Sequence, residues 1–318
     1  MNEEWTEVRR RTGHPGIAVF LLTIGTFFLT GLIAAVWANQ QPLDTGSWVE
    51  ISDQVLEDPV VQTELSQYIS DELFDNIAIQ GDVRSELPAS LRDLPDTTEA
   101  GLRVAAPAEV RKALNALWFT SVWSESNRAA HEALMTILGG DAEAAGDGTI
   151  TLNLRPIVTG MSEELGFPPR VTARIPPDVA RLTVLKAGRV NTARDVTKLV
   201  RLAPVVLGLL VILTFGIAIL VAGSRRRLMV GLCGAAIAVA GVIALIVRSL
   251  AGPSATDWLA SEASVRPAAD VVWRLGTSQI VTLSIASIAL GIVIVLVVCA
   301  YELLSPGRTE SDHRYSSV

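Results

Sequence analysis

The chain is poor in the residues that carry chemistry. Its 318 residues include two cysteines and three histidines. Cys233 and Cys299 both fall inside apolar blocks. The polar region 39–201 therefore holds no intrachain disulfide and no thiolate metal site. His131 is the sole histidine of that region, and one imidazole falls well short of the ligand set that zinc takes. No Gly-x-Ser-x-Gly nucleophile elbow occurs, and no Gly-x-x-x-x-Gly-Lys-Ser/Thr phosphate loop. These absences point away from an enzyme, and the expectation is no catalytic residue, no metal and no cofactor. Positive charge is also short: the net charge is −7, and lysine is scarce beside arginine. A nucleic-acid partner is not expected, because such binders carry a basic face.

Apolar residues, by contrast, make up 50% of the sequence. The mean hydropathy is +0.41. They are gathered into four long blocks, 16–38, 202–223, 228–247 and 280–301, none of which contains Asp, Glu, Lys, Arg or His. Each is close to the roughly 20 residues that cross about 30 Å of hydrocarbon at about 1.5 Å per residue. A soluble core helix would carry a polar face, and these do not. The expectation is an α-helical membrane protein with four transmembrane helices and the lipid bilayer as its first partner.

Arginines orient it. Arg9, Arg10 and Arg11 precede the first block; Arg225, Arg226 and Arg227 fill the loop 224–227 between the second and third. Positive residues flanking short loops stay on the cytoplasmic side. The segments 1–15, 224–227 and 302–318 are then cytoplasmic, and both termini lie inside. The segments 39–201 and 248–279 are then extracytoplasmic. Trp37, Trp258 and Trp273 fall near the outer ends of spans, where indole rings favour the interface. Val36-Trp37-Ala38 has the small-residue pattern of a weak signal-peptide cleavage site. The apolar stretch exceeds the usual core of about 7–15 residues, so an uncleaved anchor is expected.

The outer segment reads as α+β and mainly helical. Residues 39–150 hold 20 acids and 6 bases, whereas 151–200 hold 4 acids and 8 bases. The basic stretch nearest span two would suit anionic headgroups, with an ordinary solvated surface as the simpler account. Asp58-Pro59 is an N-cap followed by proline at the first helical position. Val61, Leu65, Tyr68, Ile69, Leu73 and Ile77 follow at helical spacing and predict a helix over 59–77. A short helix near 97–105 and a long one opening at Pro107, broken near Thr120-Ser121 and ending at Gly139-Gly140, come next. Ile150, Leu152 and Leu154 alternate along a strand over 148–154. A helix over 156–165, strands over 171–175 and 180–186, and a helix from about Asn191 into span two, with a kink expected at Pro204, complete the segment. In the second outer segment, Asp270 and Arg274 form an i,i+4 pair on a short interfacial helix.

Trp123, Asn127, Arg128 and His131 are the ligand-binding candidates. Trp123, Asn127, His131, Leu134 and Leu138 share one helix face. Trp123 and Leu134 on that face favour the other reading, a buried face whose polar groups satisfy one another or the backbone. Asp141, Glu143 and Asp147 sit in an acidic turn. Ala145 and Leu152 stand where a calcium loop needs oxygen ligands, so a polar turn is the better reading. In the membrane, Gly231, Gly234, Ala238 and Gly241 form a small-residue stripe on span three. Ser284, Ser287 and Gly291 form another on span four. Such stripes let helix backbones approach.

The motif Trp123-x-x-x-Asn127-Arg128-x-x-His131, the strand 148–154 followed by Arg155-Pro156, and Arg225-Arg226-Arg227 before a Gly-rich span resemble uncharacterised actinobacterial multi-pass integral membrane proteins. These carry a large extracytoplasmic domain between the first and second spans. The resemblance implies this topology and an actinobacterial source, and no activity. The function expected is presentation of the extracytoplasmic domain to a cell-envelope protein partner. The alternative is a lipid- or small-molecule-handling transport component. An envelope enzyme using His131 has the least support.

Overall fold

The structure, a computed structural model, describes residues 15–78, 99–139, 150–153, 181–185, 190–260 and 265–304. Outside these fall Arg9, Arg10 and Arg11, the acidic turn at 141–147, Arg155-Pro156, the helix expected over 156–165, the strand expected over 171–175 and the tail beyond residue 304.

Among the described residues, four helices are long and apolar enough to cross a membrane, at Gly16–Gln40, Arg194–Val221, Arg226–Leu259 and Ser278–Leu304. They belong to α1 (Pro15–Gln40), α6 (Val190–Val221), α7 (Arg226–Leu259) and α9 (Ser278–Leu304). The third is longer than the sequence pattern indicated. It runs through Pro253 to Leu259, where an interfacial loop was expected. Pro204 likewise sits inside α6 without ending it.

The chain divides into two compact units. The first gathers the spans, within Met1–Trp37, Leu202–Leu250 and Gln279–Val318. Lipid tails are as apolar as leucine, so these helices gain little from burying oily surface and must fit closely instead. Gly25 receives the ring of Phe215, and a Cβ there would overlap it. Between α7 and α9 the backbones themselves meet. A Cβ on Gly241 would lie 2.6 Å from the Ser284 carbonyl oxygen, and one on Gly234 would lie 3.0 Å from the Gly291 carbonyl oxygen. A Cβ on Gly291 would overlap the Gly234 carbonyl oxygen and lie 2.6 Å from the Ala238 nitrogen. Gly231 faces Val298 less tightly, at 3.5 Å.

The second unit comprises Ala38–Arg201 and Ala251–Ser278. It contains α2 (Thr45–Glu57), α3 (Pro59–Ala78), α4 (Glu99–Leu114), α5 (Leu117–Gly139) and α8 (Arg266–Gly276). Asp58 caps α3 by accepting from the Val60 amide at 2.9 Å, as its place before Pro59 predicts. The same carboxylate receives Arg274 of α8 at 2.8 Å, a partner beyond the expected Asp270. The core gathers Leu56, Val110, Leu114 and Phe119, with Leu65, Ile69, Trp118 and Trp123 packed around them.

Two expectations are corrected in this unit. Among the described side chains of α3 the buried line is Gln62, Ser66 and Ser70, while Tyr68 is 62% exposed. Small hydroxyls bonded to their own helix, Ser66 to Thr63 and Ser70 to Ser66, let α3 lie close to α4, which buries Ala106, Val110 and Ala113. Pro107 lies within α4 rather than opening it. The break falls after Leu114 rather than near Thr120. There the Asn115 amide donates to the Arg111 carbonyl at 2.8 Å and exchanges hydrogen bonds with the Gln62 amide. An amide that satisfies the last turn competes with helix continuation.

The α+β class is not supported. Strands β1 (Ile150–Asn153) and β2 (Arg181–Leu185) have four and five residues. They pair antiparallel, with Leu152 opposite Leu182, and fall where alternation placed them. Among the described residues this one short pair forms no further sheet layer, and the core cluster of the unit is helical.

The glycine contacts give the first test. Gly291→Leu should destabilise the detergent-purified protein by about 1–3 kcal/mol through overpacking. Gly216→Leu, where a Cβ would meet nothing within 4 Å, should be near neutral. Equal thermal midpoints for the two variants would contradict close packing of α7 on α9.

Candidate functional site

His131 projects from α5 and is 3% exposed. Its Nε2 lies 3.1 Å from the Pro42 carbonyl oxygen. A carbonyl only accepts, so Nε2 carries a proton and donates. Its Nδ1 lies 3.0 Å from the Thr45 hydroxyl. In the neutral ring this nitrogen is the acceptor, and Thr45 donates. The Trp48 ring stacks on the imidazole, with centroids 5.2 Å apart and planes 21° from parallel. Both ring nitrogens are thus engaged by residues 42 and 45, and one ring face is covered.

The segment that His131 holds is the corner leading into α2. Asp44 is the N-cap of that helix and accepts from the Ser47 amide at 2.8 Å. This backbone hydrogen bond is the chief reason the Asp44 carboxyl sits below its ordinary range. Desolvation opposes it, and the Ser47 side chain and the Gly46 amide add further lowering. The depressed value means that the contribution of the cap is fully present above the ordinary pKa and is lost as pH falls through the folded one.

The other candidates do not converge on His131. Trp123 donates from its indole nitrogen to the Ser52 carbonyl at 3.3 Å. The Asn127 amide donates to the Trp123 carbonyl of its own helix at 3.0 Å. Arg128 is exposed. One turn from Asn127, Ser124 donates to Asp53 at 2.7 Å. Trp123, Ser124 and His131 therefore fasten α5 to α2 and the corner before it. What this arrangement does chemically is hold the turn that leads into α2. A histidine with both nitrogens engaged and a stacked face has no open position for a metal or a substrate proton. Among the described residues, no group of three or more His, Cys, Asp or Glu side chains is placed to hold a metal ion.

Pro42, Asp44, Thr45 and Trp48 were missed by sequence reasoning. The signal was present in Asp44-Thr-Gly-Ser47, an acid followed three positions later by an amide to cap. The helix-packing candidates Gly234, Ala238, Gly241, Ser284 and Gly291 are brought together between α7 and α9, as described above. Ser287 joins them with its Cβ 3.3 Å from a Cβ built on Gly241. Arg225, Arg226 and Arg227 are exposed at the start of α7. The chain matches no protein-family model, no curated protein and no solved structure.

Two measurements follow. His131→Ala empties a buried site and strips the Pro42 carbonyl and the Thr45 hydroxyl of their partner. It should lower stability by roughly 2–4 kcal/mol, and an unchanged thermal midpoint would contradict the clamp. Asp44→Ala should cost about 1 kcal/mol near neutral pH. That deficit should shrink as pH falls below the ordinary value of 3.8, where wild type loses the same carboxylate. A deficit independent of pH would show that the charge of Asp44 plays no part.

Proposed function

We propose that this is a multi-pass membrane protein whose helical unit is presented on the extracytoplasmic face to a cell-envelope protein, with both termini in the cytoplasm. The observation that carries the reading is the composition of that unit. It is built from the segment before span two and the segment after span three, with α8 packed on α2 and α3 and Arg274 paired with Asp58. Segments that fold together lie on the same side of a membrane. Two crossings separate them in sequence, which returns the chain to that side. The turn between those crossings then lies opposite, and it carries Arg225, Arg226 and Arg227, which belong on the cytoplasmic face. An actinobacterial source remains part of this proposal, on the resemblance of its motifs.

Presentation is favoured over catalysis by the state of His131, the only histidine of the outer segment. Its two nitrogens serve the fold. Meanwhile Tyr68 on α3 and Leu117 at the start of α5 are 62% and 87% exposed, and such side chains can meet a partner without a pocket.

The test is site-specific photocrosslinking in intact cells from Tyr68 and Leu117, with mass spectrometry of the adducts. One dominant envelope protein captured from these positions, and absent from a matched position in the Arg225 turn, is the expected result. Adducts to lipid and to the chain itself alone would sink the proposal and favour a lipid-handling role.

A further inference from the structure

We propose that the turn joining α6 to α7, together with the facing end of α9, binds the phosphate of an anionic phospholipid. The turn is the three-residue 3-10 segment Gly223–Arg225, and α7 begins at Arg226. Arg225, Arg226 and Arg227 are consecutive and exposed. Among the described residues, these three positive charges have no carboxylate partner within salt-bridge distance.

Orienting a membrane chain requires only that such charges be present. The placement of Arg227 goes further. Its guanidinium carbon lies 4.7 Å above the centroid of the Tyr301 ring near the end of α9. A guanidinium on an aromatic face is pre-ordered, and its N–H edges remain available for a forked contact with phosphate oxygens.

The surroundings favour a lipid over a soluble phosphate. Leu228, Leu232 and Val239 follow the arginines along one stripe of α7 and are exposed. Leu303 and Leu304 are exposed just past Tyr301. A headgroup at the arginines could lay acyl chains on this surface, whereas a free phosphate would have no use for it. Recruitment of anionic lipid by clustered arginines at a membrane surface follows the same electrostatics. The site requires only that the spans be inserted, and it is independent of what the outer unit binds.

The full-length protein in neutral detergent would be titrated with dioleoylphosphatidylglycerol, with dioleoylphosphatidylcholine as the uncharged reference, and bound lipids counted by native mass spectrometry. Wild type should prefer the anionic lipid. The triple variant Arg225→Gln, Arg226→Gln, Arg227→Gln should lose at least about tenfold in apparent affinity and with it the preference. Tyr301→Leu keeps every charge and should lose about threefold, so it carries the test if the triple variant fails to fold. Inorganic phosphate and glycerol 3-phosphate should fail to displace the lipid. No preference in wild type, or variants that bind phosphatidylglycerol as wild type does, would overturn the proposal. Displacement by inorganic phosphate at concentrations matching the lipid would overturn the lipid assignment and leave a soluble-phosphate site.

Discussion

Hydrocarbon offers a backbone amide no hydrogen-bond partner, and the span unit is arranged around that fact. Each span is one helix, so every amide in its interior is satisfied within the element. Four threonine hydroxyls in the apolar region turn back on the same helix. Thr23, Thr26, Thr30 and Thr214 donate to carbonyls one turn earlier. With little hydrophobic gain on offer between helices, cohesion comes from proximity. Glycine at 234, 241 and 291 removes the Cβ that would hold α7 and α9 apart. Ser284 is fully buried in this contact, and its hydroxyl has no hydrogen-bond partner. The interface therefore tolerates one unsatisfied donor, at a cost of about 1–3 kcal/mol, and close backbone contact offsets it.

In the helical unit water reverses these rules. Apolar burial supplies the driving force, and polar side chains can be spent on position. An aromatic row, with Trp118 edge-on to Phe119 and Phe119 stacked on Trp123, packs beside Leu56 and Leu114. Around it, polar groups fix corners: Asp44 and Asp58 start helices, Asn115 and Gln62 mark the α4–α5 break, and His131 holds the turn into α2. A carboxylate that caps one helix and pairs with another element, as Asp58 does, links local helix initiation to long-range assembly. Its ion pair is half open to solvent, since the Arg274 side chain is 63% exposed. The capping hydrogen bond and the burial of Ala269 and Val271 on α8 contribute more than that charge pair.

Legibility in the sequence divides along the same line. The four spans could be read because unbroken apolar runs have one physical use at that length, and the α7–α9 contact because small residues recur at helical spacing. Asp58-Pro59 announced α3 by local chemistry alone. The β1 and β2 segments were legible by alternation, but one short antiparallel pair does not support the α+β class. The buried line of α3 was not legible. Gln62, Ser66 and Ser70 look like a solvated face, and only the approach of α4 makes small polar side chains the right filling. Pro107 misled for a related reason: packing on α3 holds a helix through a residue that local rules would place at its start. The partners of His131 lie some ninety positions earlier in the chain, and no spacing rule within α5 points to them.

The same distance in sequence separates the two readings of that histidine. A catalytic imidazole needs one nitrogen poised towards a vacant position, and its helix neighbours usually help to line that position. Here the neighbours face elsewhere: Trp123 to Ser52, Asn127 to its own helix and Arg128 to solvent. A residue whose every polar atom is consumed by the fold can contribute to recognition only by keeping a surface in shape. Recognition by such a domain would therefore rest on side chains that the core does not use, which are the exposed ones on α3, α4 and α5. These can be altered one at a time without touching the clamp that holds the helices beneath them.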